Sequence, residues 1–516
     1  MYSKFNIVAL FPKRSSFQKF VVLLWLLLQI LFLTGCTRKE IVEDARLEEF
    51  TSYLDNRIPK LMKNYNIPGV TIALVKEGKV VWTNAYGFAD KEKGRKITVE
   101  DHCRVESISK SVTAWGVMKL VEQGKIELDN PLAYYLKSWK LPESKFSEEE
   151  ITIRQLLNQT SGMPLGTVGV HYSPKEATPS LRKSLSKDAI LFQKPGTSFS
   201  YSNTGFNLLE LLIEEVTGKD FASYMKEEIL LPLGMKHSSF TWSEDWEPKV
   251  PNGYDSKGNA VPVYVYPDKA SGGLFSSVND IAKFITAGMT KFIDTEKKVL
   301  SPQSIQLLYT PSVKVPGLYG MAFPLYGFGH FIEVQSNGTK IISNGGQGSG
   351  WMSEFYAMPE TGDGIVILSN SQRSWPFFSY ILSDWAKWNG ISSVGMGKIV
   401  WATKGLWIII GLILVLLMWQ LIRLVNGIVF GHRKFKLLSN ESLMLRMGKL
   451  GLSIALISGF LWVTNQEYFF MFSVFPVSSY WLLWLMLISA LILLLSVLFP
   501  LSVNNKNIIK QIANDN

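Results

Sequence analysis

The sequence predicts an α/β domain whose sheet is completed by both ends of the domain, followed by three transmembrane helices. Two patterns indicate this organisation: β-branched runs occur on both sides of a helix-rich middle, and three long apolar runs follow them. The composition is the third observation, because 19% of the 516 residues are charged and the mean hydropathy is +0.12. Soluble domains usually have roughly 25% charged residues, so a wholly soluble or disordered chain is excluded.

Residues 1–35 are predicted to be a signal peptide or a signal anchor. An apolar run over residues 20–33 follows a basic segment, as in secretory signals, and the basic residues are Lys4, Lys13, Arg14 and Lys19. The run ends at Leu33-Thr34-Gly35-Cys36, which resembles the lipobox of bacterial lipoproteins. Lipidation would then fall on Cys36, and the alternative is an uncleaved anchor helix with an incidental cysteine. In both cases the next domain leaves the cytoplasm.

Residues 400–516 are predicted to be a membrane domain. Apolar runs cover about residues 405–425, 448–464 and 480–503, and a helix needs about 20 apolar residues to cross the hydrocarbon. The loop between the first two runs is basic, through Arg423, Arg433, Lys434, Lys436, Arg446 and Lys449. The positive-inside rule puts this loop in the cytoplasm and the preceding domain on the extracytoplasmic side of a multi-pass protein of the cell membrane. Topology thus accounts for much of the net charge of +10, and a nucleic-acid partner is not expected.

The second loop, residues 465–479, has no Lys or Arg and is rich in aromatic residues. These are Tyr468, Phe469, Phe470, Phe472 and Phe475, and we expect them at the interface with the lipid bilayer. The apolar runs lack the charges that mark ion or substrate paths, which disfavours a transporter.

The region between the two ends, residues 40–392, has the pattern of a globular domain. Residues 70–76 and 79–86 are apolar, β-branched runs joined at Glu77-Gly78, which predicts a hairpin. Helices are predicted over about residues 45–65, 107–123 and 277–287 and within the middle region 152–236, and later strands over about 328–334, 340–343, 354–358 and 364–368.

Ser107 and Lys110 place a hydroxyl and an amine three residues apart on one face of a predicted helix. A serine is a weak nucleophile unless a base takes its proton, and a neutral lysine can do so. The same spacing begins at Ser16, Ser180, Ser184 and Ser223. Only Ser107 follows two predicted strands and begins a helix with an apolar face.

Two further motifs follow along the chain. Tyr201 and Asn203 lie two residues apart on a predicted extended loop, so both could face one pocket. The run from Asn344 to Gly350 reads Asn-Gly-Gly-Gln-Gly-Ser-Gly, and its glycines permit close backbone approach and leave N–H donors free. Taken singly, the first motif fits an ordinary turn and the second fits a loop at a strand end.

In this order the three motifs resemble those of the serine β-lactamase and penicillin-binding-protein-like hydrolases, in particular the branch of AmpC-type β-lactamases, D-alanyl-D-alanine carboxypeptidases and related esterases. Stretches such as Ala85 to Asp90, Ile153 to Pro164 and Ser271 to Ser277 extend the resemblance over residues 45–390. The resemblance implies a β-lactamase/transpeptidase-like fold, with a central, mostly antiparallel sheet flanked by helices and a helical subdomain.

The resemblance also implies roles for site residues. Ser107 would be the acylated nucleophile, and Lys110 and Tyr201 would share the proton transfers. The oxyanion hole would consist of the backbone N–H groups of Ser107 and Gln347. The substrate-binding residues would be Asn203, Asn344 and Gly346. No cofactor is implied, and the substrate would be a small molecule or a cell-wall component, such as an ester or amide with a D-amino-acyl group.

Asn344 departs from the family pattern, which has lysine or histidine at this position. Asparagine adds no positive charge and should anchor a substrate carboxylate less well. We therefore expect weak activity on penicillins and a preference for another ester or amide. The departure also keeps open a non-catalytic sensor or binding module of the cell envelope.

Metal and disulfide chemistry are not expected from the sequence. His102, His171, His237 and His330 lack the spacing of metal ligands. Two cysteines exclude a disulfide-stapled scaffold and a Cys-rich zinc site, and we expect Cys103 to be buried as a small apolar residue.

Overall fold

The computed structural model describes residues 43–166, 168–289, 291–292, 298–436, 443–466 and 470–500. The predicted signal segment and Cys36 lie outside the described residues. Cys103 is buried and free, as expected from the sequence.

The strands and helices are numbered here along the chain. The strands are β1 (Gly69–Lys76), β2 (Lys79–Asp90), β3 (Arg95–Lys96), β4 (Cys103–Arg104), β5 (Ser238–Ser239), β6 (Gly253–Tyr254), β7 (Ala260–Val261), β8 (Phe275–Ser276), β9 (Val313–Lys314), β10 (Leu325–Tyr326), β11 (Phe331–Val334), β12 (Lys340–Gln347), β13 (Met352–Met358) and β14 (Asp363–Ser369). The helices are α1 (Leu47–Tyr65), α2 (Ile108–Glu122), α3 (Ile153–Leu157), α4 (Leu181–Asp188), α5 (Asn203–Thr217), α6 (Phe221–Met225), α7 (Val278–Ala287), α8 (Pro302–Leu308), α9 (Gly317–Ala322), α10 (Trp375–Trp388), α11 (Gly397–Val429), α12 (Leu443–Thr464), α13 (Phe470–Val474) and α14 (Ser478–Leu498).

The main sheet joins the two ends of the domain. Its strand order is β3-β2-β1-β14-β13-β12-β11-β10-β9, and neighbouring strands pair antiparallel. Val70 lies opposite Ser369, so the first strand of the domain pairs with the last. Lys76 lies opposite Lys79 across the predicted hairpin turn. The prediction that both ends complete one sheet is therefore confirmed.

Two hydrophobic cores lie on opposite faces of this sheet, because successive side chains of a strand point to opposite faces. Phe355 packs with Trp115 of α2 and Phe284 of α7 on one face. Its neighbour Tyr356 packs with Trp385 of α10 and the residues of α1 on the other. The inserted helices lie on the first face, so this side of the sheet holds α2 and the residues near Ser107.

Within the described residues, α11, α12 and α14 are long and apolar enough to span a membrane. Helices α11 and α12 extend beyond their predicted bounds, since hydropathy marks only the apolar length and helical hydrogen bonding continues past it. Helix α11 begins at Gly397 and its 33 residues would measure about 50 Å, longer than a hydrocarbon core of about 30 Å. Helix α14 ends at Leu498, earlier than predicted.

The two ends of α14 have different neighbours. Near its C-terminus, Arg433 donates to the carbonyl of Phe499 (2.8 Å) and Arg446 donates to that of Val497 (2.9 Å). Before its N-terminus, Val474 is buried in the core that also contains Trp385. Of the aromatic residues expected at the membrane interface, Tyr468 and Phe469 lie outside the described residues, and Phe475 packs against the core of the α/β domain.

Candidate active site

Ser107 lies at the start of α2, directly after a residue with unusual backbone geometry. Glu106 has φ of +50°, a conformation that costs free energy for a residue with a side chain. Ser107 itself is the N-cap of the helix, yet its hydroxyl makes no capping hydrogen bond. The side chain is therefore available for other contacts.

A buried ion pair holds the backbone before Ser107. Arg104 Nε lies 2.8 Å from Glu106 Oε1, and both side chains are almost fully buried. The hydroxyls of Tyr264 and Tyr266 each donate a hydrogen bond to the Glu106 carboxylate, both at a distance of 3.0 Å. Arg104 also donates to the carbonyls of Tyr264 and Gly272. These contacts compensate the strain at Glu106 and fix the start of α2.

Lys110 is fully buried and contacts Ser107 directly. Its Nζ lies 3.0 Å from Ser107 Oγ and 2.6 Å from the carbonyl oxygen of Ser271. Burial lowers the pKa of Lys110 to about 7, although the Glu106 carboxylate acts in the opposite direction. A substantial fraction of Lys110 is therefore neutral near pH 7 and able to accept a proton.

The backbone immediately before Ser271 is held by a buried carboxyl group, Glu210, that the sequence patterns did not indicate. Glu210 Oε2 accepts hydrogen bonds from the backbone N–H groups of Lys269 (2.6 Å) and Ala270 (2.7 Å). The hydroxyl of Thr113 donates to the carbonyl of Ala270 from α2. Two features of the sequence could have pointed to these residues. Glu210 is an acidic residue on the apolar face of α5, and Arg104 and Glu106 are opposite charges on either side of Val105.

Tyr201 shares the space around Ser107 with Lys110. Its side chain hydrogen-bonds with Ser107, and Lys110 Nζ lies 4.9 Å from the centre of its ring. Burial raises the pKa of Tyr201 to about 12, whereas the contact with Ser107 acts in the opposite direction. The phenol is therefore protonated at neutral pH.

Asn203 lines the same cavity from a different structural position than expected. The extended segment ends at Ser202, whose hydroxyl caps α5 by accepting from Gly205 N, so Asn203 is the first residue of the helix. The expectation of an extended loop through Asn203 is wrong because this cap starts the helix there. Among the hydrogen bonds of the described residues, Lys110 Nζ bonds to Ser107 and Ser271 and not to Asn203.

Asn344 faces the core behind Ser107. Its Nδ2 donates to Ser111 Oγ (2.8 Å), to the carbonyl of Gly329 (3.0 Å) and to that of Ser107 (3.3 Å). Its Oδ1 accepts from Gly345 N, and the residue is 1% exposed. Strand alternation turns this side chain toward α2, so its position does not support the expected role in substrate binding. The Asn344 side chain instead holds the first turn of α2 in place through its hydrogen bonds to Ser107 and Ser111.

The glycines of β12 allow the strand to pass directly beside residues 105–106, next to Ser107. A Cβ atom at Gly346 would lie 2.3 Å from the carbonyl oxygen of Val105 and 2.6 Å from Glu106 Cβ. Gly346 thus lets β12 approach the backbone of residues 105–106, and it presents no side chain that could contact a substrate. The next residue, Gln347, lines the cavity together with Ser107.

This cavity has a volume of about 330 Å³ and walls that contain both signs of charge. Its lining includes Glu106, Ser107, Asn203, Asn207, Tyr172, Tyr266, Lys183, Lys187, Asp188, Asp268, Ser271 and Gln347. Burial raises the pKa of Asp268 to about 7. In the part of the chain that the structure describes, no group of three or more His, Cys, Asp or Glu side chains could hold a metal ion.

Known proteins are similar to this chain over much of its length. A family model described as Beta-lactamase matches residues 54–381. Protein flp of Staphylococcus aureus (strain MW2) is 28% identical over 324 residues, which cover 61% of this chain and 62% of that protein. The protein named PbpX of Bacillus subtilis (strain 168) is 28% identical over 275 residues, 52% of this chain and 65% of that protein. The chain thus spans less than two thirds of the length of these relatives.

A solved structure is also similar. The octameric penicillin-binding protein homologue from Pyrococcus abyssi is 32% identical, with a TM-score of 0.52, and the match covers 62% of this chain and 73% of that chain. The antiparallel sheet with flanking helices is thus a β-lactamase/transpeptidase-like fold, as the sequence motifs predicted. Since the family model covers more than half of its residues, this chain belongs to the Beta-lactamase family of serine hydrolases and penicillin-binding-like proteins.

Proposed function

We propose that this protein is an extracytoplasmic, membrane-anchored serine hydrolase that forms an acyl-enzyme on Ser107. The observation that carries the proposal is the 3.0 Å contact between Lys110 Nζ and Ser107 Oγ at a lysine whose pKa burial lowers to about 7. A base in that range is near the optimum for proton transfer at neutral pH. Residues 40–392 would form the hydrolase and residues 400–516 the membrane domain.

In the first half of the reaction, neutral Lys110 takes the proton of Ser107 while Oγ attacks the substrate carbonyl. The oxygen of that carbonyl becomes negative and would accept from the backbone N–H groups of Ser107 and Gln347. The protonated Lys110 then gives this proton to the leaving alcohol or amine, either directly or through the phenol of Tyr201, which passes on its own proton and takes the one from Lys110. The products of this half are the acyl-enzyme and the free leaving group.

In the second half, water attacks the acyl-enzyme and loses a proton to Lys110, which is neutral again. Ser107 Oγ then leaves with the proton that Lys110 has taken from water, so Lys110 is neutral once more, the free acid departs and the site returns to its starting state. Tyr201 remains protonated at neutral pH, since its pKa is about 12. It therefore acts as a hydrogen-bond donor or acid in this scheme, and Lys110 acts as the base.

The charges of the loops support an extracytoplasmic site. The basic residues Arg433 and Arg446 lie at the C-terminal end of α14, and residues 473–475 at the other end pack on the α/β domain. The positive-inside rule assigns the basic end to the cytoplasm, so the domain would lie outside. The substrate would then be a component of the cell envelope.

The cavity favours an ester or amide without a carboxylate anchor. Lys183 and Lys187 on its wall are accompanied by Asp188 and Asp268, so the wall has no excess of positive charge. Asn344, where the family pattern has a cation, is occupied by hydrogen bonds inside the protein. Within this limit, the resemblance to the family implies a D-amino-acyl or related ester or amide, which we propose as the substrate class.

The test is the intact mass of the full chain in detergent after exposure to a fluorophosphonate probe. We expect one adduct on the wild type and none on Ser107→Ala, with circular dichroism showing that both are folded. Chromogenic acyl esters and a chromogenic cephalosporin are then compared, and we expect faster turnover of the esters. A folded wild type that takes no adduct would contradict the proposal and favour an envelope sensor that binds without hydrolysis. Faster cephalosporin turnover would overturn the proposed substrate class alone.

A further inference from the structure

Ser473, a residue of the membrane domain, is buried against the α/β domain. It lies in α13, between the second and third candidate membrane spans, and it is 0% exposed. Its hydroxyl donates to the carbonyl of Gln372 (2.6 Å) and accepts from Gln347 Nε2 (2.9 Å). Its neighbour Val474 is buried in the same core as Trp375.

Gln347 is therefore held from two sides. Its Nε2 bonds to Ser473, and its Oε1 accepts from Trp375 Nε1 over 2.9 Å. The side chain of Gln372 donates to the carbonyl of the next residue, Gly348. The carbonyl of Gln372 accepts from the Ser473 hydroxyl. Ser473 therefore contacts both Gln347, at the end of the strand, and Gln372, which bonds to the next residue.

The strand end that Ser473 contacts is the one that faces the nucleophile. Gln347 lines the cavity with Ser107, and Gly346 packs on the backbone of residues 105–106. An oxyanion hole depends on donors that are fixed before the reaction, because donors that must reorient give less stabilisation. A contact that fixes the end of β12 therefore acts on the reaction even though it lies outside the cavity.

We infer that Ser473 is a positioning residue for the oxyanion hole, so that the loop between the second and third membrane spans completes the active site. This inference rests on the proposed function, since it assigns a reaction role to a contact beside Gln347. It gives the membrane domain a part in catalysis beyond anchoring.

The test measures acylation of the full chain in detergent micelles by the fluorophosphonate probe. Ser473→Ala should lower the second-order rate of labelling about tenfold while the final labelled fraction stays at the wild-type level. With an ester substrate, kcat should fall and KM should stay the same, because an oxyanion hole acts mainly in the transition state.

The matched control is Ser478→Ala. Ser478 is also a buried serine near this loop, at 1% exposure, and within the described residues its hydroxyl has no hydrogen-bond partner. This variant should label within about twofold of the wild type. A double variant with Gln347→Ala separates the mechanism: if Ser473 acts through Gln347, then Ser473→Ala should have no further effect in that background.

The outcomes distinguish the two proposals. A wild type that labels while Ser473→Ala labels at the same rate overturns this inference alone. So does a variant whose labelled fraction falls with an unchanged rate, because that result reports unfolded protein. A tenfold loss that persists in the Gln347→Ala background also contradicts it. A folded wild type without any adduct overturns the proposed function and this inference together.

Discussion

Arg104 Nε donates a hydrogen bond to Glu106 Oε1 at a distance of 2.8 Å, and both side chains are buried away from solvent. This buried pair lies immediately before Ser107 and holds Glu106 in a backbone conformation with φ of +50°. The position of Ser107 thus depends on this buried charge pair, and removing either partner would leave the other charge buried and uncompensated.

Glu106→Ala should be strongly destabilising. The substitution leaves the Arg104 guanidinium buried without its carboxylate, which typically costs about 3–5 kcal/mol of unfolding free energy. The measurement is denaturant unfolding of the full chain in detergent, followed by tryptophan fluorescence. Glu49→Ala is the control, because Glu49 belongs to an exposed ion pair with Arg46 and its loss should leave the unfolding midpoint unchanged. Equal midpoints for the two variants would show that the buried pair does not hold this segment.

The rate of acylation should depend on the protonation of Lys110. Since burial lowers its pKa to about 7, the rate should be low at acid pH, rise through pH 7 and level off above about pH 8, where the amine is neutral. Lys110→Ala should slow labelling by about 100-fold or more. Lys119→Ala is a matched control on the same helix, because Lys119 donates to the carbonyl of Val299 away from the cavity. A midpoint near the ordinary lysine pKa of about 10.4 would refute the assignment of Lys110 as the base.

Asn344→Asp should destabilise the protein more than Asn344→Ala does. Aspartate has nearly the shape of asparagine, but its carboxylate would face the carbonyl oxygens of Ser107 and Gly329 without an N–H to donate. We expect a loss of about 2–4 kcal/mol at pH 7 for the aspartate variant and about 1–3 kcal/mol for alanine. Unfolding titrations at pH 7 measure both. An aspartate variant as stable as the wild type would mean that Asn344 contacts the substrate space rather than the core.

Sidedness is testable with introduced cysteines in intact cells. Lys175→Cys places a thiol on the α/β domain where the side chain is 81% exposed, and a membrane-impermeant maleimide should label it. Phe435→Cys lies in the basic loop and should be labelled only after the membrane is permeabilised. The parent chain measures the background labelling of its own two cysteines, of which Cys103 is buried, and the same background is subtracted from both variants. Labelling of Phe435→Cys alone in intact cells would reverse the proposed orientation.

The sequence by itself determined the family, the order of strands and helices and the apolar spans, because these depend on local patterns. The hairpin at Glu77-Gly78 and the helix capped by Ser277 follow from turn and capping preferences within a few residues. That both ends of the domain complete one sheet also followed from the order of elements along the chain, whereas the direct pairing of the first strand with the last is seen only in the structure. The spacing of Ser107 and Lys110 predicted a contact that one helical turn imposes.

Only the tertiary structure decided the contacts between distant segments. The hydrogen bonds of Glu210 to the backbone before Ser271, the turn of Asn344 toward α2 and the contact of Ser473 with Gln347 join residues that are between 59 and 237 positions apart. Such contacts depend on strand register and on which face of a helix meets the sheet. A shift of one residue in strand register would turn the side chains to the opposite face and break these contacts. Burial, which sets the pKa of Lys110, is likewise a property of the folded chain and is not encoded in the spacing of the motif.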